Sequence, residues 1–204
     1  MSDKQYKITI ISVGPGASDL ITLRGQEAIN QQDIIIGFQE SLDTFASHKE
    51  TYCPDRMRTG TLEYIEQNPD RKVGVLVSGD AGFFSLAKFI IQKFGRDSVE
   101  VIPGVSSVSA GFAQIKNSWQ DFRFKSVKQE ENDLTELGHD TILLCDRMNT
   151  PEKILQDNPD LKDKFDITVM KDISLETEQI FYDPDESFNS SRVLIVLEKK
   201  LTDR

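Results

Sequence analysis

The chain has little with which to hold a metal. Its 204 residues include only two cysteines and two histidines. Cys53 and Cys145 stand far apart and match no metal-ligand spacing, while His48 and His139 fall in unrelated segments. No metal site is expected. Cys145 closes the apolar run Thr141-Ile142-Leu143-Leu144 and reads as a buried thiol. Long hydrophobic runs are also missing: none approaches the roughly 20 residues that cross a bilayer. Residues 1–7 contain no apolar signal core. A cytoplasmic protein without a membrane partner is therefore expected. Positive charge is short as well, with 24 basic against 34 acidic side chains and a net charge of −10. That balance argues against nucleic acid as a partner.

The acidity is unevenly spread. Residues 1–117 carry 12 basic and 14 acidic side chains, and residues 118–204 carry 12 and 20. The asymmetry suggests two parts with different surfaces. In the first part, strand-like runs near 7–13, 33–37, 72–78 and 98–102 alternate with helical patterns near 19–31, 38–46, 60–67, 82–94 and 106–116. Such a βαβ series predicts a parallel sheet. The pattern breaks into polar residues at Lys116-Asn117-Ser118-Trp119-Gln120-Asp121, so domains of 1–117 and 118–204 are expected. Beyond the break, strands near 122–127, 140–145, 165–170, 178–182 and 192–198 outweigh helices near 132–137 and 149–157. A mixed sheet fits that balance.

Three glycine-bearing loops follow predicted strands of the first part: Gly14-Pro15-Gly16, Ser78-Gly79-Asp80-Ala81-Gly82-Phe83-Phe84-Ser85, and Pro103-Gly104-Val105-Ser106-Ser107. The carboxyl ends of parallel strands share one rim, so the loops should converge where open α/β sheets bind ligands. After the first loop a helix capped by Ser18 or Asp19 is predicted. None of the loops contains the lysine of a phosphate-binding loop, and Asp80 would repel a pyrophosphate. Hydroxyls or an ammonium group suit Asp80, Ser106 and the backbone better. An adenosine-bearing, cationic methyl donor fits that description. Asp80 could equally cap a helix beginning after Ala81, and its spacing leaves both roles open.

These motifs resemble the tetrapyrrole methylase superfamily, the S-adenosylmethionine-dependent enzymes of cobalamin and sirohaem synthesis. The resemblance rests on Val13-Gly14-Pro15-Gly16 with Leu20-Ile21-Thr22-Leu23, and on Asp33-Ile34-Ile35-Ile36-Gly37. Ser78 to Phe83 and Val101-Ile102-Pro103-Gly104-Val105-Ser106-Ser107 complete it. It runs from about Ile8 to Glu198. Gly37-Phe38 and the stretches 75–86, 117–127 and 143–154 are most similar to the branch that methylates C5 of precorrin-7.

The resemblance implies two α/β domains, the first with a parallel sheet and the second with a mixed one, and a cofactor in the cleft. It implies S-adenosyl-L-methionine as cofactor. Pro15 would face it from the first loop, Gly79, Asp80 and Phe83 from the second, and Ser106 and Ser107 from the third. Asp146 would close over it from the second domain. A homodimer, a small-molecule tetrapyrrole substrate and a separate protein for the C15 methylation and decarboxylation are also implied. Arg123, Lys128 and Arg147, with Lys125, Arg56 and Arg58, are candidates to meet the substrate's carboxylates; solvated surface charge is the other reading of each. No residue is nominated as a catalytic base or nucleophile. The chain departs from the branch in having Ala81 where proline is common, and Ala17 where aspartate follows Gly-Pro-Gly. Val127-Lys128-Gln129-Glu130 replaces Leu-His-Gly-Arg, and Cys145-Asp146-Arg147-Met148-Asn149 replaces Thr-Asp-Gly-Glu-Asn. Another precorrin, a non-tetrapyrrole target, or cofactor binding without activity are the alternatives.

Overall fold

The structure, a computed structural model, describes residues 6–127, 134, 137–145, 148–184 and 192–200. The chain divides into two compact units, Met1–Ser107 and Val108–Arg204. This division falls ten residues before the boundary expected after residue 117.

In the first unit, strands β1 (Lys7–Ser12), β2 (Ile34–Ile36), β3 (Thr51–Tyr52), β4 (Lys72–Val77) and β5 (Val99–Ile102) form one sheet in the order β3-β2-β4-β1-β5. Every pairing in it is parallel. The alternation of side chains along each strand feeds two cores. Ile8, Ile10, Ile34, Ile36, Val73, Val75 and Val77 pack with Ile65 of α3 (Met57–Gln67) and with Ala87 and Ile90 of α4 (Ala87–Phe94). Ile11, Val13, Ile35 and Leu76 pack with Ala28 and Ile29 of α1 (Leu23–Asn30) and Leu42 of α2 (Gln39–Phe45). Helices therefore cover both faces. The chain leaves β1 through α1 toward β2, whereas it leaves β4 through α4 and reaches β5 on the far side of β1. The β1–β4 pair is thus the point where the winding changes direction, the usual ligand position in such sheets.

Two helix starts differ from the sequence reading. Helix α1 begins at Leu23 and is capped by Thr22, whose Oγ1 accepts from the Gly25 N–H at 3.0 Å; Ser18–Leu20 forms a separate 3-10 turn without a side-chain cap. Helix α4 begins at Ala87 rather than residue 82. The residues between are held in an irregular turn, with Phe84 at φ +48° and the Ser85 hydroxyl accepting from the Ala87 N–H at 3.1 Å while donating to the Ala81 carbonyl.

In the second unit, β6 (Arg123–Ser126), β7 (Thr141–Leu144), β8 (Phe165–Lys171), β9 (Gln179–Tyr182) and β10 (Val193–Lys199) are ordered β6-β7-β10-β8-β9. Only β6–β7 is parallel, so the sheet is mixed. Leu143, Cys145, Ile167, Val169, Val193, Ile195 and Leu197 pack with Ile154 of α6 (Pro151–Asp157) and Leu161 of α7 (Leu161–Lys164). Helix α5 (Ser107–Ile115) lies flush on the sheet's other face: a Cβ on Gly111 would stand 2.6 Å from the Met170 sulfur. All of this helix but its first residue belongs to the second unit. The expected helix near 132–137 falls largely outside the described residues.

Candidate functional site

The three glycine loops do meet on one rim of the first unit. Beyond β1 and β4 the chain continues the ladder in a different form. The Gly79 N–H donates to the Gly14 carbonyl at 2.7 Å, and the Gly14 N–H to the Gly79 carbonyl at 3.3 Å. This isolated antiparallel bridge joins the first two loops at the switch point. Both glycines have positive φ, +79° and +69°, a conformation that a side chain disfavours. Gly14 is also crowded, since a Cβ there would come within 3.0 Å of the Leu20 carbonyl. At Gly79 the space is open. A Cβ would meet nothing nearer than the Ser106 Cα and Ser107 N at 3.8 Å.

The second and third loops are tied together by one carboxylate. Asp80 Oδ1 accepts from the Gly82 N–H at 2.8 Å, and Oδ2 accepts from the Gly104 N–H at 2.9 Å. Asp80 is thus not the cap of a helix starting at residue 82; it braces the turn that delays that helix. Ser12, the last residue of β1, is completely buried. Its Oγ accepts from the Ala81 N–H at 2.9 Å. Proline at 81 has no N–H to offer, so this bond requires a residue other than proline here, as alanine is. Gly104 fits against the same serine: its missing Cβ would lie 2.5 Å from Ser12 Cβ and 2.9 Å from the Gly79 carbonyl oxygen.

Pro15, Gly79, Asp80, Phe83, Ser106 and Ser107 therefore belong to loops on one rim, all half-buried. The Phe83 ring meets the Phe84 ring edge-on at 4.9 Å. Sequence reasoning placed Gly104 in the third loop without a role of its own, and missed Ser12 as part of the site. The signal for Ser12 was present, because a hydroxyl that closes the apolar run Ile10-Ile11 of a buried strand needs a partner. Asp146, Arg147 and Lys128 lie outside the described residues. Arg123 is exposed on β6, an edge strand of the second unit, and Arg58 stacks its guanidinium over the Phe89 ring at 4.8 Å.

A cavity of about 430 Å³ in the first unit lies elsewhere. Lys7, Thr9, Lys72 and Val99 line it, at the amino ends of the strands and away from the loops. Among the described residues, no cluster of His, Cys, Asp or Glu is placed to hold a metal ion. No helix among them is long and apolar enough to cross a membrane.

Residues 7–186 match the model of the Tetrapyrrole (Corrin/Porphyrin) Methylases. The chain belongs to the tetrapyrrole methylase family. It is 26% identical over 188 residues to a probable cobalt-precorrin-7 C(5)-methyltransferase of Methanocaldococcus jannaschii, across 85% of this chain and 87% of that one. It is also 33% identical over 125 residues to the cobalt-precorrin-4 C(11)-methyltransferase of the same organism, across 56% of this chain and 48% of that one. In three dimensions it is similar to the precorrin-6Y methylase (cbiE) of Archaeoglobus fulgidus, with a TM-score of 0.75 at 18% identity, covering 95% of this chain and 98% of the other. This methylase thus shares its fold with that enzyme at an identity too low to carry substrate choice.

Proposed function

We propose that this methylase transfers a methyl group from S-adenosylmethionine to C5 of precorrin-7, with or without cobalt, in cobalamin synthesis. The observation that carries the donor half is the union of three lysine-free glycine loops at the winding reversal of a parallel sheet. The backbone there fits the donor in two respects. Gly79 leaves open space over its Cα, and none of the loops offers the cationic side chain that a triphosphate would need. The acceptor half is supported by the 26% identity to a probable C5-methyltransferase over most of both chains.

When bound, the donor supplies a methyl group on a sulfonium, already a strong electrophile. The work left to this chain is alignment and exclusion of water. Pro15, Gly79, Phe83, Ser106, Ser107 and Asp146 would hold the donor, and Asp80 would serve it through the two loops whose N–H groups its carboxylate accepts. Arg123, Lys128 and Arg147 would receive the carboxylates of the acceptor, giving a local basic surface within an acidic protein. No covalent nucleophile is required of the protein.

Incubating the purified protein with S-adenosylmethionine and a panel of precorrins, with mass spectrometry of the products, tests this directly. The expected result is one added methyl on precorrin-7. Methylation of another precorrin would replace the acceptor assignment, and the similarity to a C(11)-methyltransferase makes precorrin-4 the informative competitor. No transfer to any of them would overturn it.

A further inference from the structure

We propose that Asp80 is a positioning residue that acts on the donor through the backbone of two loops, with Ser12 as the second anchor of the same brace. The inference rests on the donor site proposed above and goes further by assigning how its loops are held. Asp80 accepts one backbone N–H on each carboxylate oxygen, from Gly82 within its own loop and from Gly104 in the next. Ser12 reaches the same turn from β1, accepting from Ala81 while its Cβ fills the space beside Gly104. The end of β1 and the loops after β4 and β5 are thereby linked by two side chains, beyond the pairing of the strands themselves.

The chemistry of the brace is specific to a carboxylate. Ionised aspartate is an acceptor on both oxygens, whereas the amide of asparagine accepts on one side and donates on the other. Asp80→Asn keeps the shape but sets an N–H₂ against a backbone N–H. Ser12→Ala removes the other anchor without touching any group exposed on the rim, since Ser12 is fully buried. Asp80 and Ser12 engage neighbouring amides of one turn, so their effects should overlap rather than add.

The test combines amide exchange with binding of S-adenosylhomocysteine by calorimetry, on wild type, Asp80→Asn, Ser12→Ala and the double variant. In Asp80→Asn, the Gly82 or the Gly104 amide should lose protection while β1 and β4 keep theirs. Each single variant should raise Kd about tenfold, and the double variant little more than the worse single one. A raised Kd with both amides still protected would mean that Asp80 contacts the ligand directly, which overturns the proposal. So would lost protection with an unchanged Kd. If wild type does not bind S-adenosylhomocysteine at all, the donor assignment fails and the proposed action on the donor falls with it; exchange at Gly82 and Gly104 then reports only whether the brace itself exists. If Asp80→Asn does not fold, Ser12→Ala carries the same two readouts, with Ala81 as the amide that loses protection.

Discussion

Gly104→Ala adds one methyl group at the most crowded point of the rim. The new Cβ would stand 2.5 Å from Ser12 Cβ, 2.9 Å from the Gly79 carbonyl oxygen and 3.2 Å from the Ser12 carbonyl oxygen. Carbon atoms pack best at about 3.5–4.0 Å, so the methyl arrives about an ångström too close. Two of the three obstructing atoms are backbone and cannot rotate away. The loop after β5 must move, which also pulls the Gly104 N–H from Asp80 Oδ2. Overpacking of this kind costs about 1–3 kcal/mol. For a chain of this size each kcal/mol lowers Tm by about 2–4 °C, so a fall of several degrees is expected. Gly138→Ala is the comparison, because a Cβ there meets nothing within 4 Å; its Tm should stay at the wild-type value. Thermal unfolding followed by circular dichroism, with calorimetry of S-adenosylhomocysteine below Tm, reads both consequences. Gly104→Ala with wild-type Tm and wild-type affinity would refute the described packing of the loops.

Three further outcomes follow from particular contacts. Ala81→Pro removes the N–H that Ser12 Oγ accepts and should cost about 1 kcal/mol; adding Ser12→Ala should recover part of it, and additive losses in urea unfolding would show the two residues are uncoupled. Glu50 accepts twice from the Arg71 guanidinium, at 2.8 and 2.7 Å, and that bond holds its carboxyl below its ordinary value of 4.5. A lowered carboxylate pKa stabilises the fold above the ordinary value and loses that contribution as pH falls through the lowered one. Glu50→Gln should therefore be less stable than wild type near pH 7, with the gap closing in acid; a gap that widens in acid contradicts the pairing. Arg147→Ala should raise KM for the tetrapyrrole about tenfold with the donor's KM unchanged, the loss of one charge-assisted hydrogen bond. An unchanged tetrapyrrole KM removes Arg147 from the acceptor site.

The parallel sheet of the first unit was legible because β1 and β4 are near-continuous apolar runs, five of six residues buried in each. Glycine turns directly after them made the loops legible too. The helix starts were not. Ser18 and Asp19 look like caps, but residues 18–20 form a separate 3-10 turn with Leu20 close over Gly14, and Thr22 is the cap. Strand β3 has two residues and helix α7 four, too short for any periodicity to register. Asp80 illustrates the limit most clearly. Its spacing suited a helix cap or a ligand contact, and only the placement of Gly104, 24 residues away, revealed the partner of its second oxygen. Ser12 could have been found from its burial alone. Its partner could not, because Ala81 looks unremarkable in sequence and matters through its N–H.

Titration of the wild-type protein with S-adenosylhomocysteine is the most direct test of the central claim, that the three loops of the first unit form a sulfonium-donor site. One site per chain with micromolar affinity is predicted, weakened in Gly104→Ala and unchanged in Gly138→Ala. No heat of binding at millimolar ligand, or binding indifferent to Gly104→Ala, would contradict it.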